Sequence, residues 1–112
     1  MNIKERNFVY NIVTDCRLRH RHKRVGKNVI NFMVQLEVRH PKHGTWEPVI
    51  RYDTAHGRPH QDRQHADGSV DKMPLPIEDY NQALNYAEID LKNHWETYRN
   101  QFLEELEYEK RK

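Results

Sequence analysis

The chain has a single cysteine, Cys16, in 112 residues. One thiol excludes an internal disulfide framework and a multi-cysteine zinc centre. No apolar run approaches the roughly 20 residues that a membrane-spanning helix requires, and no signal-peptide core opens the sequence. Glycine is scarce, with four in all, so sharp turns have few places to form. Large apolar residues are thin as well. Val, Ile, Leu and Phe together number 24, near the level at which a core becomes doubtful. What is also missing is a large net charge: 19 basic and 17 acidic residues leave +2, whereas disordered chains join low hydrophobicity to high net charge. These absences predict one small folded domain over 1–112, soluble and cytoplasmic, whose thin core gains burial by dimerising.

Behind the charge balance lies an asymmetry. Residues 1–68 carry 13 Lys and Arg against 7 Asp and Glu, a surplus of +6; residues 69–112 carry 6 against 10, or −4. Seven of the eight histidines fall in the basic part: His20, His22, His40, His43, His56, His60 and His65. A basic, His-rich segment attracts polyanions such as RNA or nucleotides. The acidic remainder reads as a solvated helix face or a partner surface.

Hydrophobic periodicity divides the chain in two. Phe8, Tyr10, Ile12, Cys16 and Leu18 alternate with polar residues, as do Ile30, Phe32, Val34, Leu36 and Val38, and each set reads as a half-buried strand. Gly26 and Lys27-Asn28 supply the turn between them, and Pro41 to Gly44 the next. Trp46 to Ala55 makes a third strand, with Pro48 marking an edge or a bulge. Residues 60–66 return as a fourth, nearly without apolar side chains. Asp67-Gly68 signals a hairpin into a short extended Ser69 to Leu75. Beyond it, Tyr80, Leu84, Ala87, Leu91, Trp95, Tyr98, Phe102 and Leu106 form a helical apolar stripe from Ile77 to about Lys110. The expected fold is α+β: an antiparallel β-meander of four to five strands over 1–75, with one long C-terminal helix over 76–110 packed on it. That helix outruns a domain of this size, so Trp95, Tyr98, Phe102 or Leu106 is expected at or near a homodimer interface.

Two polar stretches can carry chemistry. Arg17 to Arg24 alternates so that His20 and His22 share the face of Cys16 and Leu18, while Arg19, Arg21 and Lys23 take the other. A basic hairpin that only keeps a sheet edge soluble reads the same way, and a His-x-His pair can also bind zinc with a third ligand. The second stretch, Arg51-Tyr52-Asp53-Thr54-Ala55-His56-Gly57-Arg58-Pro59-His60 with Asp62, Arg63 and His65 beyond it, falls where a strand must turn. Gly57 lets a ligand approach the backbone and Pro59 fixes the bend. In a meander the first and third strands run the same way, so Leu18 to His22 and Thr54 to His60 end at one edge of the sheet.

Residues 51–60 resemble the Arg-Tyr-Asp-Asn-x-x-Gly-x-x-His signature of small TumE-type toxins of prokaryotic toxin–antitoxin modules, with Thr54 in place of the usual Asn and Asp62 where a further His often follows. The resemblance covers residues 45–70 in detail and the rest in order of elements. It implies a sheet, the polar motif, then a helix, and an antitoxin as a possible partner protein.

The residue types suit metal-free phosphodiester cleavage, in which one group deprotonates a 2′-hydroxyl and another protonates the leaving oxygen. Histidine titrates nearest neutrality and serves both roles, while arginines stabilise the charge of the transition state. Asp53, Asp62 and Asp67 are scattered along the sequence, which disfavours a two-metal nuclease. The expectation is therefore a histidine-dependent phosphodiesterase or endoribonuclease acting on RNA or small, including cyclic, oligonucleotides. His20 or His22 is paired with His56 or His60, Arg19, Arg21, Arg51 and Arg58 are the phosphate ligands, and Tyr52 is a stacking or positioning group. No metal or other cofactor is expected. A non-catalytic nucleic-acid- or partner-binding protein and a His-rich zinc-binding protein are the competing classes.

Overall fold

The computed structural model describes residues 2–111. A tight turn at Thr14-Asp15 joins β1 (Ile3–Val13) to β2 (Cys16–Val25), and the chain continues through β3 (Asn28–Arg39), β4 (Trp46–Asp53), β5 (His60–Gln64) and β6 (Val70–Pro74) to one helix, α1 (Tyr80–Lys110). The six strands lie in sequence order in a single sheet, every neighbour antiparallel. The α+β meander-and-helix expectation holds with six strands instead of four or five. The extra strand comes from the segment read as one, Phe8 to Leu18. Across that hairpin Phe8 faces His20 and Tyr10 faces Leu18. Facing residues therefore have the same parity, and the alternation runs through the turn unbroken.

The remaining boundaries follow local chemistry. Gly26 turns β2 into β3 at φ +57°, a backbone conformation that costs a side-chain-bearing residue about 1–2 kcal/mol. Pro48 sits at a bulge: Leu36 pairs Ile50 but Glu37 pairs Pro48, leaving Val49 as the extra residue. The helix begins three residues later than expected. Asp79 caps it by accepting from the Gln82 N–H at 2.9 Å, and Pro76 lies outside it.

One face of the sheet is covered and the other is open. Cys16, Val34, Leu36, Val38, Ile50 and Tyr52 point to the covered face, where Ala83, Leu84, Ala87, Leu91 and Phe102 of α1 pack over β3 and β4. Ala83 and Ala87 are small and fully buried, which lets the helix backbone lie close to the strands. Phe102 is buried within the chain, and Trp95, Tyr98 and Leu106 pack partly buried on the same core. Much of the stripe expected to outrun its sheet thus rests on the protomer's own core, because β3 is 12 residues long and runs about 40 Å beneath a helix of about 46 Å.

Polar contacts set the helix in register. Asn81 clamps the β2–β3 turn, accepting from the Val29 N–H and donating to the Lys27 carbonyl, both at 2.8 Å. Arg99 grips Asp15 in the β1–β2 turn with two hydrogen bonds of 2.9 and 2.7 Å. Glu105 holds the β5–β6 turn through the Ala66 N–H and the His65 ring, whose other nitrogen meets Asp71. At mid-helix, Tyr52 and Tyr98 both donate to Asp90, at 2.7 and 2.8 Å, and Gln61 donates to the Tyr52 hydroxyl. Tyr52 is 1% exposed, so it is a core residue and not the ligand-stacking group expected from its place in the motif. Tyr52→Phe should cost about 1–3 kcal/mol in urea denaturation, because it strips a donor from the part-buried Asp90 and an acceptor from Gln61.

Candidate functional site

The open face is built by strand alternation. On β2, Arg17, Arg19, Arg21 and Lys23 point away from the helix, since their neighbours Cys16, Leu18, His20 and His22 share the face of the covered core. Cross-strand pairing continues that face through Glu37, Gln35 and Met33 on β3 to Arg51 and Asp53 on β4, then to His60 and Asp62 on β5.

The centre of this surface is a buried carboxylate. Glu37 accepts from Arg17 Nε at 2.6 Å, Arg19 Nε at 3.1 Å and Gln35 Nε2 at 2.6 Å. Gln35 in turn accepts from Arg51 Nε at 2.7 Å, and the Arg17 guanidinium lies 4.1 Å from the Trp46 ring centre. Burial alone would raise the Glu37 carboxyl, but the hydrogen bonds from Arg17, Gln35 and Arg19 hold it below the usual carboxylate value. Three arginines are thereby fixed in a row by one negative charge, and the row keeps a positive surplus.

Beside that row is a cleft of about 580 Å³, lined by Arg21, Lys23, Arg51, Asn31, Met33 and Asp53 among others. It is polar and carries a cationic surplus, three cations against Glu5 and Asp53. A larger one, about 690 Å³, lies between the β5–β6 turn and the last turns of α1 and is rich in acids, with Asp67, Asp71, Glu104, Glu105 and Glu109. Phosphate is repelled there.

The expected site residues separate. Arg19, Arg21 and Arg51 lie together on the open face. His60 joins them, 2.9 Å from Asp53 through Nε2, with its Nδ1 on the Arg58 carbonyl at 3.1 Å. Arg58 is exposed on the loop and contributes that carbonyl. His56 is exposed in the short 3₁₀ turn Ala55–Gly57 at φ +65°. His20 and His22 project from the opposite face: His20 stacks on Phe8 at 4.6 Å between ring centres, bonds to His22 at 2.7 Å and sits 3.6 Å from Glu88 of the helix. An acid–base pair of His20 or His22 with His60 is therefore not assembled, because the sheet stands between them. Nor do Leu18 to His22 end a strand: they lie inside β2 and reach the level of the β4 end through β3, where Met33 pairs both Arg21 and Asp53.

Thr54 explains the shape of the motif. Its hydroxyl accepts from the Phe32 N–H at 3.1 Å and its own N–H donates to the Phe32 carbonyl at 3.2 Å, which clips the β4–β5 connection to β3. The clip and the hairpin register bring Asp53 and Asp62 to His60, so these two carboxylates are neighbours and not scattered. The signal for them was present in the sequence as His60-x-Asp62, two residues that a strand must place on one face.

Six antiparallel strands in sequence order, covered on one side by a single helix, define an α+β domain with a cationic open face. The chain belongs to the family described as a domain of unknown function (DUF7718), which matches residues 1–108. No curated protein and no solved structure matches it.

The buried histidine makes stability sensitive to acid. Desolvation, with help from His22 and Arg6, pushes His20 down to about 4. A histidine with a depressed folded pKa contributes stability above its unfolded value of about 6.5 and loses it as the pH falls toward 4, up to about 3 kcal/mol. Comparing wild type with His20→Gln by urea denaturation at pH 7 and pH 4.5 isolates this part. The variant should lose less stability over that interval.

Proposed function

We propose that the open face binds a phosphodiester, in RNA or a small linear or cyclic oligonucleotide, and that the Asp53–His60–Asp62 cluster acts on the bound phosphate. One juxtaposition carries this reading: Arg21, Lys23 and Arg51 surround a cleft whose wall includes Asp53, itself in contact with His60. Arg51, held through Nε by Gln35, is preorganised for phosphate oxygens and stabilises added negative charge without rearranging. His60 is the one histidine of the four expected ones that shares this face with the arginines. The resemblance of residues 51–60 to TumE-type toxins adds a partner protein of antitoxin type to this reading. A lone free thiol accords with a reducing, cytoplasmic compartment.

The experiment is a paired binding and cleavage assay on labelled single-stranded RNA and on cyclic oligoadenylate over a range of salt. On RNA, Arg21→Ala and Arg51→Ala should each weaken binding and flatten the slope of log K against log salt by about 0.7, the value for one lost phosphate contact on a single strand. His60→Ala should abolish cleavage with binding retained, while His22→Ala and His56→Ala keep both. Binding that is indifferent to both arginine substitutions removes the proposal. Binding with the expected salt slope but no cleavage by wild type makes the chain a nucleic-acid-binding module instead of an enzyme.

A further inference from the structure

We propose that Asp53, His60 and Asp62 form a site for one divalent first-row transition-metal cation. The β4–β5 hairpin pairs Asp53 directly with His60, and Asp62 follows His60 by two residues on the same face. One candidate ligand atom from each residue lies within 4.8 Å of the other two. His60 Nε2 is 2.9 Å from Asp53 Oδ1 and 3.7 Å from Asp62 Oδ1. Ligands bonded to one cation at about 2.0–2.2 Å stand roughly 3–3.5 Å apart, so small side-chain adjustments suffice.

Three further observations converge on a cation. The His60 ring is oriented from behind, because Nδ1 meets the Arg58 carbonyl at 3.1 Å. Such a backbone contact places the proton of Nδ1 on the carbonyl and leaves Nε2 facing the carboxylates, where a cation would replace its proton, the usual support of a metal-binding histidine. Asp62 Oδ1 is buried and has no hydrogen-bond donor. A shielded carboxylate oxygen without a donor is costly, and a cation removes that cost. Charge points the same way. The three side chains are only 13, 18 and 14% exposed, and two carboxylates meet at most one positive imidazole. Of the cationic neighbours in register with Asp62, Arg51 spends its Nε on Gln35 and Lys72 is exposed on the edge strand.

One nitrogen and two carboxylate donors suit Mn²⁺, Fe²⁺ or Zn²⁺ better than Ca²⁺, which takes six to eight oxygens. Three protein ligands leave positions open for water or a phosphate oxygen from the adjacent cleft. The use of the cation in catalysis rests on the phosphodiester reading; its binding rests on the cluster alone.

The test is calorimetric titration of the intact, chelator-stripped protein with MnCl₂ and with ZnCl₂, beside thermal melting in the presence and absence of each metal. Wild type should bind one cation per chain and melt higher with it. Asp62→Asn and His60→Ala should weaken binding by more than about 100-fold, beyond the roughly 10–100-fold that losing an outer-shell partner costs. Without metal, Asp62→Asn should melt at or above the wild-type temperature, since it removes a buried charge whose Oδ1 has no hydrogen-bond donor. Absence of stoichiometric binding at millimolar metal overturns the proposal. Binding unchanged in Asp62→Asn also overturns it. A metal-free Asp62→Asn protein that melts well below wild type assigns Asp62 to a structural ion pair with His60 and overturns it too. RNA cleavage that survives chelation in a protein that binds no metal keeps the phosphodiester reading and removes the cation; stoichiometric binding without cleavage does the reverse.

Discussion

The pleat of β2 governs the rest of the molecule. Eight consecutive residues, Cys16 to Lys23, alternate between a buried or half-buried set and a cationic set, and a strand has no freedom to mix them. With a single helix to cover one side, the apolar set must face α1 and the cations must face outward. A one-residue slip in register would turn three arginines and a lysine to the covered side, beside Val34 and Trp95, at a large desolvation cost. The division into a covered face and a charged face is thus the condition for folding, and the candidate site lies on the side left over.

A charged face of this density repels itself unless something organises it. Glu37 does so from the middle of the sheet, 5% exposed, with Arg17 and Arg19 on its carboxylate and Gln35 relaying the contact to Arg51. A buried ion pair of this kind contributes little net stability once desolvation is counted. What it contributes is geometry. Each guanidinium is held through Nε, so the sheet sets the spacings: Arg17 and Arg19 are two residues apart on β2, and Arg51 lies two strands from Arg19 across Gln35, about 9.6 Å away. The covered side has a parallel arrangement with neutral donors: Asp90 gathers the hydroxyls of Tyr52 and Tyr98 between helix and sheet, and desolvation together with that carboxylate raises both tyrosines.

Most of the architecture was legible in the residues. The period-2 pattern of Ile30 to Val38 and the helical stripe from Tyr80 to Leu106 mark their elements directly, and the turn glycines fall where the chain reverses. The β1–β2 turn was not legible, because a reversal that pairs residues of equal parity leaves the alternation intact and Thr14-Asp15 carries no glycine. The site was legible in halves. Parity separates His20 and His22 from Arg19 and Arg21 in the sequence itself, yet which of those faces receives the β4–β5 turn depends on pairing across three strands. Tyr52 misleads for a related reason: its motif neighbours Arg51 and Asp53 face out, and a tyrosine between two outward residues must face in. The contact of Asp53 with Asp62 is a property of hairpin register, which spacing in the chain does not give.

The strict sequence order of the strands also shapes how the chain acquires its structure. Every strand pairs only with its neighbours in sequence, so each step closes a short loop and costs little entropy. The helix is different. Its anchors at Asp15 and Val29 are separated from their partners Arg99 and Asn81 by 84 and 52 residues. During synthesis the sheet can therefore zip up hairpin by hairpin while Leu36, Ile50 and Val34 still face water. The segment that covers them, α1, emerges after all six strands. Until it docks, the nascent chain presents an uncovered apolar sheet, the kind of surface that invites aggregation or a chaperone, and closing it depends on the 31 residues of that helix.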